Sequence, residues 1–205
     1  MGIYSSYVLP RIIDKVCAQE NMAELRTKYV PRAAGHVLEI GMGSGHNLEH
    51  YTESVKRVTA IDPAEAVTDL ARERIATAIP PVQLLNTSAE QIPFKQSTFD
   101  TVVSTWTLCS IPDVTSALAE IRRVIKPGGQ FIFIEHGASP DDTVARWQQR
   151  IEPAWKYCGG GCHLTRNAAQ LIEAAGFSLP ELESGYFSGP RWVSYTYRGI
   201  ARPVA

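Results

Sequence analysis

Residues 37–47 have the sequence Val-Leu-Glu-Ile-Gly-Met-Gly-Ser-Gly-His-Asn. The apolar run at the start predicts a buried β-strand, and the glycines that follow predict a tight turn where this strand ends. Glycine adopts positive φ easily and lets a ligand approach the main chain without meeting a Cβ atom. We therefore expect a small molecule to lie against Gly41, Gly43 and Gly45.

The main alternative for this loop is the dinucleotide-binding pattern Gly-x-Gly-x-x-Gly, whose helix N-terminus receives a pyrophosphate. Here the third glycine comes one residue early, and His46 stands in its place. Glu39 adds a carboxylate near the loop, which suits a cationic ligand better than a diphosphate. The spacing Glu39-x-Gly41-x-Gly43-x-Gly45 resembles motif I of the class I S-adenosylmethionine (SAM)-dependent methyltransferases, whose cofactor carries an amino group and a sulfonium. A glycine-rich turn without a ligand is the remaining interpretation.

The composition predicts one globular domain over residues 1–205, because domains commonly have about 100 to 200 residues. A net charge of -1 offers no basic surface for nucleic acid or an anionic membrane, so we expect small-molecule partners. No apolar run approaches the roughly 20 residues of a membrane span, and no signal-like segment begins the chain, which predicts a cytoplasmic protein. The oligomeric state is left open.

The N-terminal residues 1–31 are predicted to be helical. Apolar side chains recur at helical spacing across residues 8–18, and Tyr4 and Tyr7 precede them. This segment either packs on the core or closes as a lid over a ligand cleft, with the two tyrosines near the substrate.

Strands and amphipathic helices alternate beyond the glycine loop. Strands are predicted at residues 55–61, 82–85, 99–105 and 130–134, and helices at residues 67–78, 114–125, 141–157 and 165–175, with a further helix starting at residues 47–51. Two later strands, near residues 182–187 and 192–200, are predicted to be antiparallel to each other. The alternation favours an α/β fold with a doubly wound parallel sheet.

Ligands of such sheets bind beyond the carboxyl ends of the strands. Candidate residues fall at these ends: Glu39, Asp62, Ser88, Thr105 and His136. Asp62 ends the second strand about 20 residues beyond the glycine loop, where an acidic residue accepts hydrogen bonds from ribose hydroxyls. Its alternative role is to cap the next helix, with Pro63 in the first turn.

The four cysteines are too few and too scattered for a disulfide framework, so we expect them to be reduced. Cys158-Gly-Gly-Gly-Cys162-His163 suggests a metal or haem site, but a haem motif has two residues between its cysteines and a zinc site needs further ligands. We therefore expect no metal and interpret this stretch as a turn beside the substrate pocket.

The match to known enzymes extends past the glycine loop. Residues 87–94 resemble the loop after the third strand in ubiquinone and menaquinone methyltransferases, where the pair matching Ser88-Ala89 lies along the adenine. Over residues 37–176 the chain resembles small bacterial class I methyltransferases and the mammalian thiol methyltransferases. This similarity rests on Thr107-Leu108-Cys109-Ser110, Phe133-Ile134-Glu135-His136, Trp147-Gln148-Gln149, Pro153-Ala154-Trp155 and Gly161-Cys162-His163-Leu164-Thr165-Arg166.

The resemblance implies a Rossmann-like seven-stranded sheet with one antiparallel strand, and SAM as cofactor with S-adenosylhomocysteine as product. The implied cofactor residues are Glu39, Gly41, Gly43, Gly45, Asn47, Asp62, Ser88, Ala89 and Thr105. Aromatic candidates for the substrate pocket are Tyr4, Tyr7, Trp106, Trp147 and Trp155, with residues 137–176 as a substrate-side helical segment. His136 is either a catalytic base or a buried histidine.

The favoured function is S-methylation of a small thiol or sulfide. Methylation of a carbon or oxygen on a quinone-like or phenolic ring is an alternative, as is N-methylation of a lipid head group. A SAM-binding regulatory module is the alternative outside catalysis. The mammalian relatives carry an apolar N-terminal anchor that this sequence lacks, which implies action on a soluble acceptor.

Overall fold

The structure is a computed structural model that describes residues 4–204, apart from the side chains of residues 5 and 6. Seven strands form one sheet: β1 (Gly35–Ile40), β2 (Val55–Ile61), β3 (Val82–Leu85), β4 (Phe99–Thr105), β5 (Ile125–His136), β6 (Phe177–Tyr186) and β7 (Tyr195–Pro203). Their order is β3-β2-β1-β4-β5-β7-β6. Strands β1 to β5 pair in parallel, and β7 runs antiparallel to both neighbours. The predicted α/β, Rossmann-like, mostly parallel seven-stranded sheet is therefore confirmed.

The described helices are α1 (Leu9–Cys17), α2 (Glu20–Tyr29), α3 (Glu65–Thr68), α4 (Arg72–Thr77), α5 (Val114–Val124), α6 (Asp142–Cys158), α7 (Ala168–Ala174) and α8 (Arg191–Ser194). Residues 1–3 of the predicted N-terminal segment lie outside the described residues. Among residues 4–204, no helix combines the length and the apolar character that a bilayer crossing requires.

Three strands, β2, β3 and β4, have the predicted bounds, whereas β5 begins earlier than predicted. Helix α5 ends at Val124, and Ile125 already pairs with Phe99 of β4. The register then shifts before Gln130 pairs with Thr101, so that residues 126–129, Lys-Pro-Gly-Gly, bulge out of β5. A Cβ atom at Gly129 would stand 2.9 Å from the Asp100 carbonyl oxygen, which explains a glycine in this tight segment.

Several predicted helix bounds were wrong. Residues 47–51 form only a short turn at Leu48–His50, because the chain turns inward to bury Tyr51. The predicted helix over residues 67–78 is divided by a turn at Asp69–Ala71. Helix α7 is capped by Asn167, whose side chain accepts a hydrogen bond from the Gln170 amide, and not by residue 165.

The strand predicted at residues 192–200 starts later, because residues 191–194 form the single turn α8 before β7. Its partner β6 starts earlier than the predicted residues 182–187 and pairs antiparallel with β7, as expected.

Both faces of the sheet are covered, as in parallel sheets generally. Phe131 and Phe133 of β5 face the core beneath α5 and α7, and the alternate residues Ile132 and Ile134 face the core on the other side with Tyr29 of α2. All four β5 side chains are fully buried, and each contributes about 1.5 to 3 kcal/mol relative to an exposed position. This rigid centre fixes the strand ends that border the candidate site.

Candidate active site

A cavity of about 290 Å³ lies beyond the carboxyl ends of β1, β2 and β4. This is the edge at which doubly wound sheets bind ligands. The predicted residues that line it are Gly41, Gly43, Asn47, Asp62, Ser88, Ala89, Thr105 and Trp106. The predicted residues outside its lining are Glu39, Gly45, His136, Tyr4, Tyr7, Trp147 and Trp155.

The glycine loop forms one wall of this cavity. Gly41 and Gly43 have φ values of +66° and +56°, a region that L-residues rarely occupy. A Cβ atom at Gly41 would overlap the side chain of Thr107, whereas one at Gly43 would meet only Val67, at 3.7 Å. The side of Gly43 that faces the cavity is therefore open to a ligand. Gly45 instead lies against Ala71 and supports the loop from behind.

Glu39 lies behind the cavity wall, where its carboxylate is 1% exposed. It accepts hydrogen bonds from Asn47 Nδ2 at 3.0 Å and from the Tyr51 hydroxyl at 2.9 Å. Burial raises the pKa of Glu39 to about 7, although these hydrogen bonds and the nearby Arg26 oppose the shift. Asn47 also bonds Thr105 Oγ1 at 3.1 Å, so it connects Glu39 to the end of β4.

Arg26 of α2 is a cavity residue that the sequence analysis missed. Its side chain is buried, donates to Asn47 Oδ1 at 3.2 Å and to the Cys17 carbonyl at 2.7 Å, and lies 4.9 Å from the centre of the Trp106 ring. A buried guanidinium in a cavity wall is a binding group for a carboxylate. No pattern in the sequence marks it, because it precedes the glycine loop on a polar helix.

Asp62 follows β2 and connects it to the glycine loop. Its carboxylate accepts the Gly43 amide at 2.8 Å through Oδ2 and the Ala64 amide at 2.8 Å through Oδ1. Burial raises its pKa, against the effect of these two donors. Helix α3 has Ala64 as N-cap without a side-chain cap, so the capping role considered for Asp62 is wrong. Each oxygen keeps a lone pair that can accept a further hydrogen bond from a ligand.

Ser88 and Ala89 form the opposite wall after β3. The Ser88 hydroxyl donates to Glu90 Oε2 at 2.7 Å, and it also accepts the Glu90 amide at 3.2 Å. Its hydrogen is therefore committed within the loop, and the pair presents a flat, weakly polar surface to the cavity. Such a surface suits the edge or face of an aromatic base.

Helix α1 covers part of the cavity with Ile13 and Cys17. Its attachment to the glycine loop runs through Asp14, whose carboxylate lies 2.9 Å from His46 Nε2 and 3.3 Å from Arg74. The Tyr4 hydroxyl donates to the Cys158 carbonyl at the end of α6, so the N-terminal turn contacts α6 directly. Tyr7 is 63% exposed and does not contact the cavity.

Glu135, the residue before the predicted base, organises the turn that follows β4. Its buried carboxylate accepts the Ser104 hydroxyl at 2.7 Å and the amides of Thr107 and Leu108 at 3.2 and 3.1 Å. Burial and the nearby Cys109 raise its pKa to about 8. These bonds hold Trp106 at φ +51° beside the cavity, an unusual conformation for a bulky residue.

His136 lies behind the cavity wall with two cysteines. Its Nε2 is 2.8 Å from Cys162 Sγ, and the ligand atoms of Cys109, His136 and Cys162 lie within 4.8 Å of one another. The hydrogen bond from Cys162 and the neighbouring His136 lower the pKa of Cys109 well below its usual value. The sequence did not indicate this cluster, because its members come from three separate segments. Cys158, which the sequence analysis considered with Cys162 and rejected as a metal site, is exposed and is not part of this cluster.

The aromatic candidates separate into two places. Trp106 lines the cavity, whereas Trp147 and Trp155 line an apolar groove of about 590 Å³ between α6 and α8. In this groove Trp155 packs edge-on against Trp192, with ring centres 5.0 Å apart. The Trp155 indole N–H donates to Cys162 Sγ at 3.2 Å, so a residue of the groove contacts the cysteine cluster directly.

Comparison with known proteins identifies the domain. Residues 38–133 match the family described as "Methyltransferase domain". The chain is 37% identical over 153 residues to the thiol S-methyltransferase TMT1B of Rattus norvegicus, an alignment that covers 72% of this chain and 62% of that protein. It is 33% identical over 125 residues to the phosphatidylethanolamine N-methyltransferase of Cereibacter sphaeroides, covering 60% of this chain and 61% of that one. The chain thus spans less than two thirds of the length of these relatives.

The fold also occurs in solved structures. The YcgJ protein of Bacillus subtilis superposes with a TM-score of 0.70 over 90% of this chain and 99% of that protein, at 15% identity. A SAM-dependent methyltransferase from Aquifex aeolicus gives a TM-score of 0.66 over 95% of this chain and 98% of that one, at 20% identity. At these identities the likeness establishes the fold.

Proposed function

We propose that this protein, whose residues 38–133 match the methyltransferase domain family, transfers the methyl group of SAM to a small thiol or sulfide. The observation that carries the acceptor class is the 37% identity to a thiol S-methyltransferase, which extends beyond the family domain to 153 residues. The product of the cofactor is S-adenosylhomocysteine.

The cavity supports the following position for the cofactor. Asp62, whose carboxylate is already oriented by the Gly43 and Ala64 amides, would accept hydrogen bonds from the ribose hydroxyls. Ser88 and Ala89 would hold the adenine, and the glycine loop and Thr105 would border the methionine part. This arrangement uses the residues at the ends of four consecutive parallel strands.

The charged groups near β1 match the amino acid part of SAM. Arg26 would pair with its carboxylate, since the guanidinium already points at the Asn47 side chain in the cavity wall. The ammonium group would lie near Asn47 and the Glu39 carboxylate behind it. A nearby cation favours the charged form of Glu39, so SAM binding would lower its pKa from about 7.

We assign the acceptor to the part of the cavity lined by Trp106, Ser110, Ile111, Pro112 and Gly160. None of these five residues carries a carboxylate or an imidazole. Methyl transfer is an in-line displacement: the acceptor sulfur forms a bond to the methyl carbon while the bond from this carbon to the sulfonium breaks. A thiol, whose pKa is about 8.5, supplies its own thiolate near neutral pH. It therefore needs no base in this part of the cavity, and His136 lies outside the lining.

N-methylation of a lipid head group is the second candidate, favoured by the 33% identity to a phosphatidylethanolamine N-methyltransferase. An amine acceptor must lose its proton before it attacks, and none of the five residues assigned to the acceptor part of the cavity carries a side-chain base for this step. We therefore rank it below the thiol.

A panel of acceptors tests the assignment. Small thiols, phenols, a quinol and phosphatidylethanolamine vesicles are incubated with SAM, and methylated products are identified by mass. We expect S-methylated product with thiols, at a rate that increases with pH until the thiol is ionised. The Asp62→Ala variant is the matched control for contaminating activity. Methylation restricted to the phospholipid or to a ring atom would refute the thiol assignment and leave the methyltransferase family unchanged.

Three proposals from the sequence concern the whole protein. We propose that residues 1–205 form one domain, that residues 1–31 act as a lid with residues 137–176 on the substrate side, and that the protein acts in the cytoplasm without a nucleic acid partner. The contacts of Ile13 and Cys17 with the cavity support the lid. Slower proteolysis of α1 in the presence of S-adenosylhomocysteine would be the expected result, and an unchanged rate would argue against it.

A further inference from the structure

Cys109, His136 and Cys162 come together from three parts of the fold. Cys109 follows β4, His136 ends β5, and Cys162 lies in the turn after α6. Their exposed fractions are 4%, 6% and 7%, and their ligand atoms lie within 4.8 Å of one another. The methyl transfer proposed above uses none of the three. Such a group of soft ligands, buried and unused by the reaction, calls for a separate explanation.

We propose that Cys109, His136 and Cys162 form a binding site for a zinc ion. Thiolate and imidazole are the ligands that zinc prefers, and two cysteines with one histidine are a known donor set. Tetrahedral zinc with bonds of about 2.3 Å to sulfur and 2.0 to 2.1 Å to nitrogen separates these ligand atoms by roughly 3.5 to 4 Å. The ligand atoms of Cys109, His136 and Cys162, which lie within 4.8 Å of one another, are close to these separations. His136 Nε2 and Cys162 Sγ, now 2.8 Å apart, would separate by less than about 1 Å.

The backbone holds the two cysteines at this distance without help from their side chains. The His163 amide donates to the Cys109 carbonyl at 2.9 Å, which joins the turn after α6 directly to the segment after β4. Arg166 adds hydrogen bonds from Nη1 to the carbonyls of Leu108, Cys109 and Ile111. The sulfur atoms are therefore brought together by a scaffold, as a preorganised metal site requires.

The outer contacts also fit a metal site. The Trp155 indole donates to Cys162 Sγ at 3.2 Å, the kind of N–H contact that orients and stabilises a thiolate ligand. Ser110 Oγ lies 3.5 Å from Cys109 Sγ, and Ser110 itself lines the cofactor cavity. The proposed ion would thus lie directly behind the acceptor part of the cavity and fix the position of the turn at residues 159–163.

The main competing explanation is a disulfide between Cys109 and Cys162. A disulfide would use both cysteines but would give no role to His136, which lies closest to Cys162. It would also require an external oxidant. Zinc accounts for all three side chains, and it replaces the expectation from the sequence that the protein binds no metal.

The test measures metal binding without reference to activity. The protein, prepared without an affinity tag or chelator, is analysed for zinc, and the metal-free protein is titrated with Co²⁺. We expect about one zinc per chain and an absorption band from thiolate-to-cobalt charge transfer. Cys109→Ser and Cys162→Ser should each lose the band and reduce bound zinc at least tenfold. Cys158→Ser is the matched control, because its thiol is exposed and outside the cluster, and it should retain both.

Folding is checked separately, by circular dichroism and by S-adenosylhomocysteine binding for each variant. The wild-type titration does not depend on any variant being folded. Absence of zinc together with absence of the cobalt band in folded wild type would overturn the proposal. Equal loss of metal in Cys158→Ser would also overturn it. A disulfide between Cys109 and Cys162 would overturn the proposal as well, if the mass of the native protein after thiol alkylation shows this disulfide even when zinc has been added.

Discussion

Replacing Asp62 by alanine tests the proposed position of the cofactor. If both ribose hydroxyls donate to this carboxylate, Asp62→Ala removes hydrogen bonds to a charged acceptor, which contribute about 1.5 to 3 kcal/mol. At 1.4 kcal/mol per tenfold change, the dissociation constants for SAM and S-adenosylhomocysteine should increase by about 10- to 150-fold. The loss should be similar for both ligands, because they share the ribose.

The same substitution has a cost in stability. The Gly43 and Ala64 amides each lose a carboxylate acceptor at 2.8 Å. A buried donor left without a partner costs about 1 to 3 kcal/mol, and water entering the space left by the side chain reduces this cost. The unfolding midpoint should therefore fall, and the folded fraction must be verified at the temperature of the binding experiment.

Isothermal titration calorimetry with S-adenosylhomocysteine measures the affinity without turnover. Glu65→Gln is a suitable control: Glu65 is an exposed carboxylate three residues away that bonds only Asn86, so its removal should leave affinity unchanged. A folded Asp62→Ala protein that binds as tightly as wild type would refute the ribose assignment. Equal weakening by Glu65→Gln would show a general effect of charge instead of a specific contact.

Further predictions concern other parts of the site. Gly43→Ala forces an L-residue to φ +56°, which should destabilise the fold by about 1 to 2 kcal/mol, and its added methyl group should weaken SAM binding. Thermal unfolding measures the first effect and calorimetry the second. An unchanged affinity for SAM would argue against contact at this glycine. Arg26→Met should weaken SAM but not 5′-methylthioadenosine, which lacks the amino acid part; equal weakening of both would contradict the carboxylate pairing. The pKa of Glu39 is about 7 in the folded state and near 4.5 in the unfolded state. Between these values the folded state keeps a proton that the unfolded state loses. The free energy of unfolding should therefore decrease by about 3 kcal/mol as pH increases from 4.5 through 7. Glu39→Gln should remove this part of the pH dependence in urea unfolding of the ligand-free protein, and a slope identical to wild type would contradict the assignment.

The strands and the cofactor loop could be predicted because their signals are local. Each of β2, β3 and β4 is a short run of apolar or β-branched residues bounded by turn residues, so pattern and structure agree to the residue. The end of a parallel strand then follows from its bounds. This is why Asp62, Ser88 and Thr105 were placed at the cavity edge correctly without any knowledge of contacts.

The errors and omissions arise where tertiary packing decides. Residues 47–51 contain no glycine or proline that would stop a helix. The helical segment nevertheless ends after one turn, because Tyr51 is buried and its hydroxyl donates a hydrogen bond to Glu39. Arg26 reaches the cavity from a mostly polar helix whose few apolar residues do not form a clear stripe, so periodicity gives no sign of an inward charge. The three side chains of the cysteine–histidine cluster are more than 20 residues apart, and they meet only through the pairing of β4 with β5 and the contact of the turn after α6 with the segment after β4.

The attachment of α1 has a kinetic consequence. This helix covers part of the cavity with Ile13 and Cys17, but the side chain that ties it to the glycine loop is Asp14, which is 29% exposed and shared between His46 and Arg74. A partly exposed ion pair such as Asp14–Arg74 contributes about 0 to 1 kcal/mol, so α1, if it acts as the proposed lid, would separate from the cavity without unfolding the sheet. The residence time of S-adenosylhomocysteine, and with it the turnover number, would then depend on how often α1 opens. Asp14→Asn should accordingly release product faster, even though this side chain touches neither the methyl group nor its acceptor.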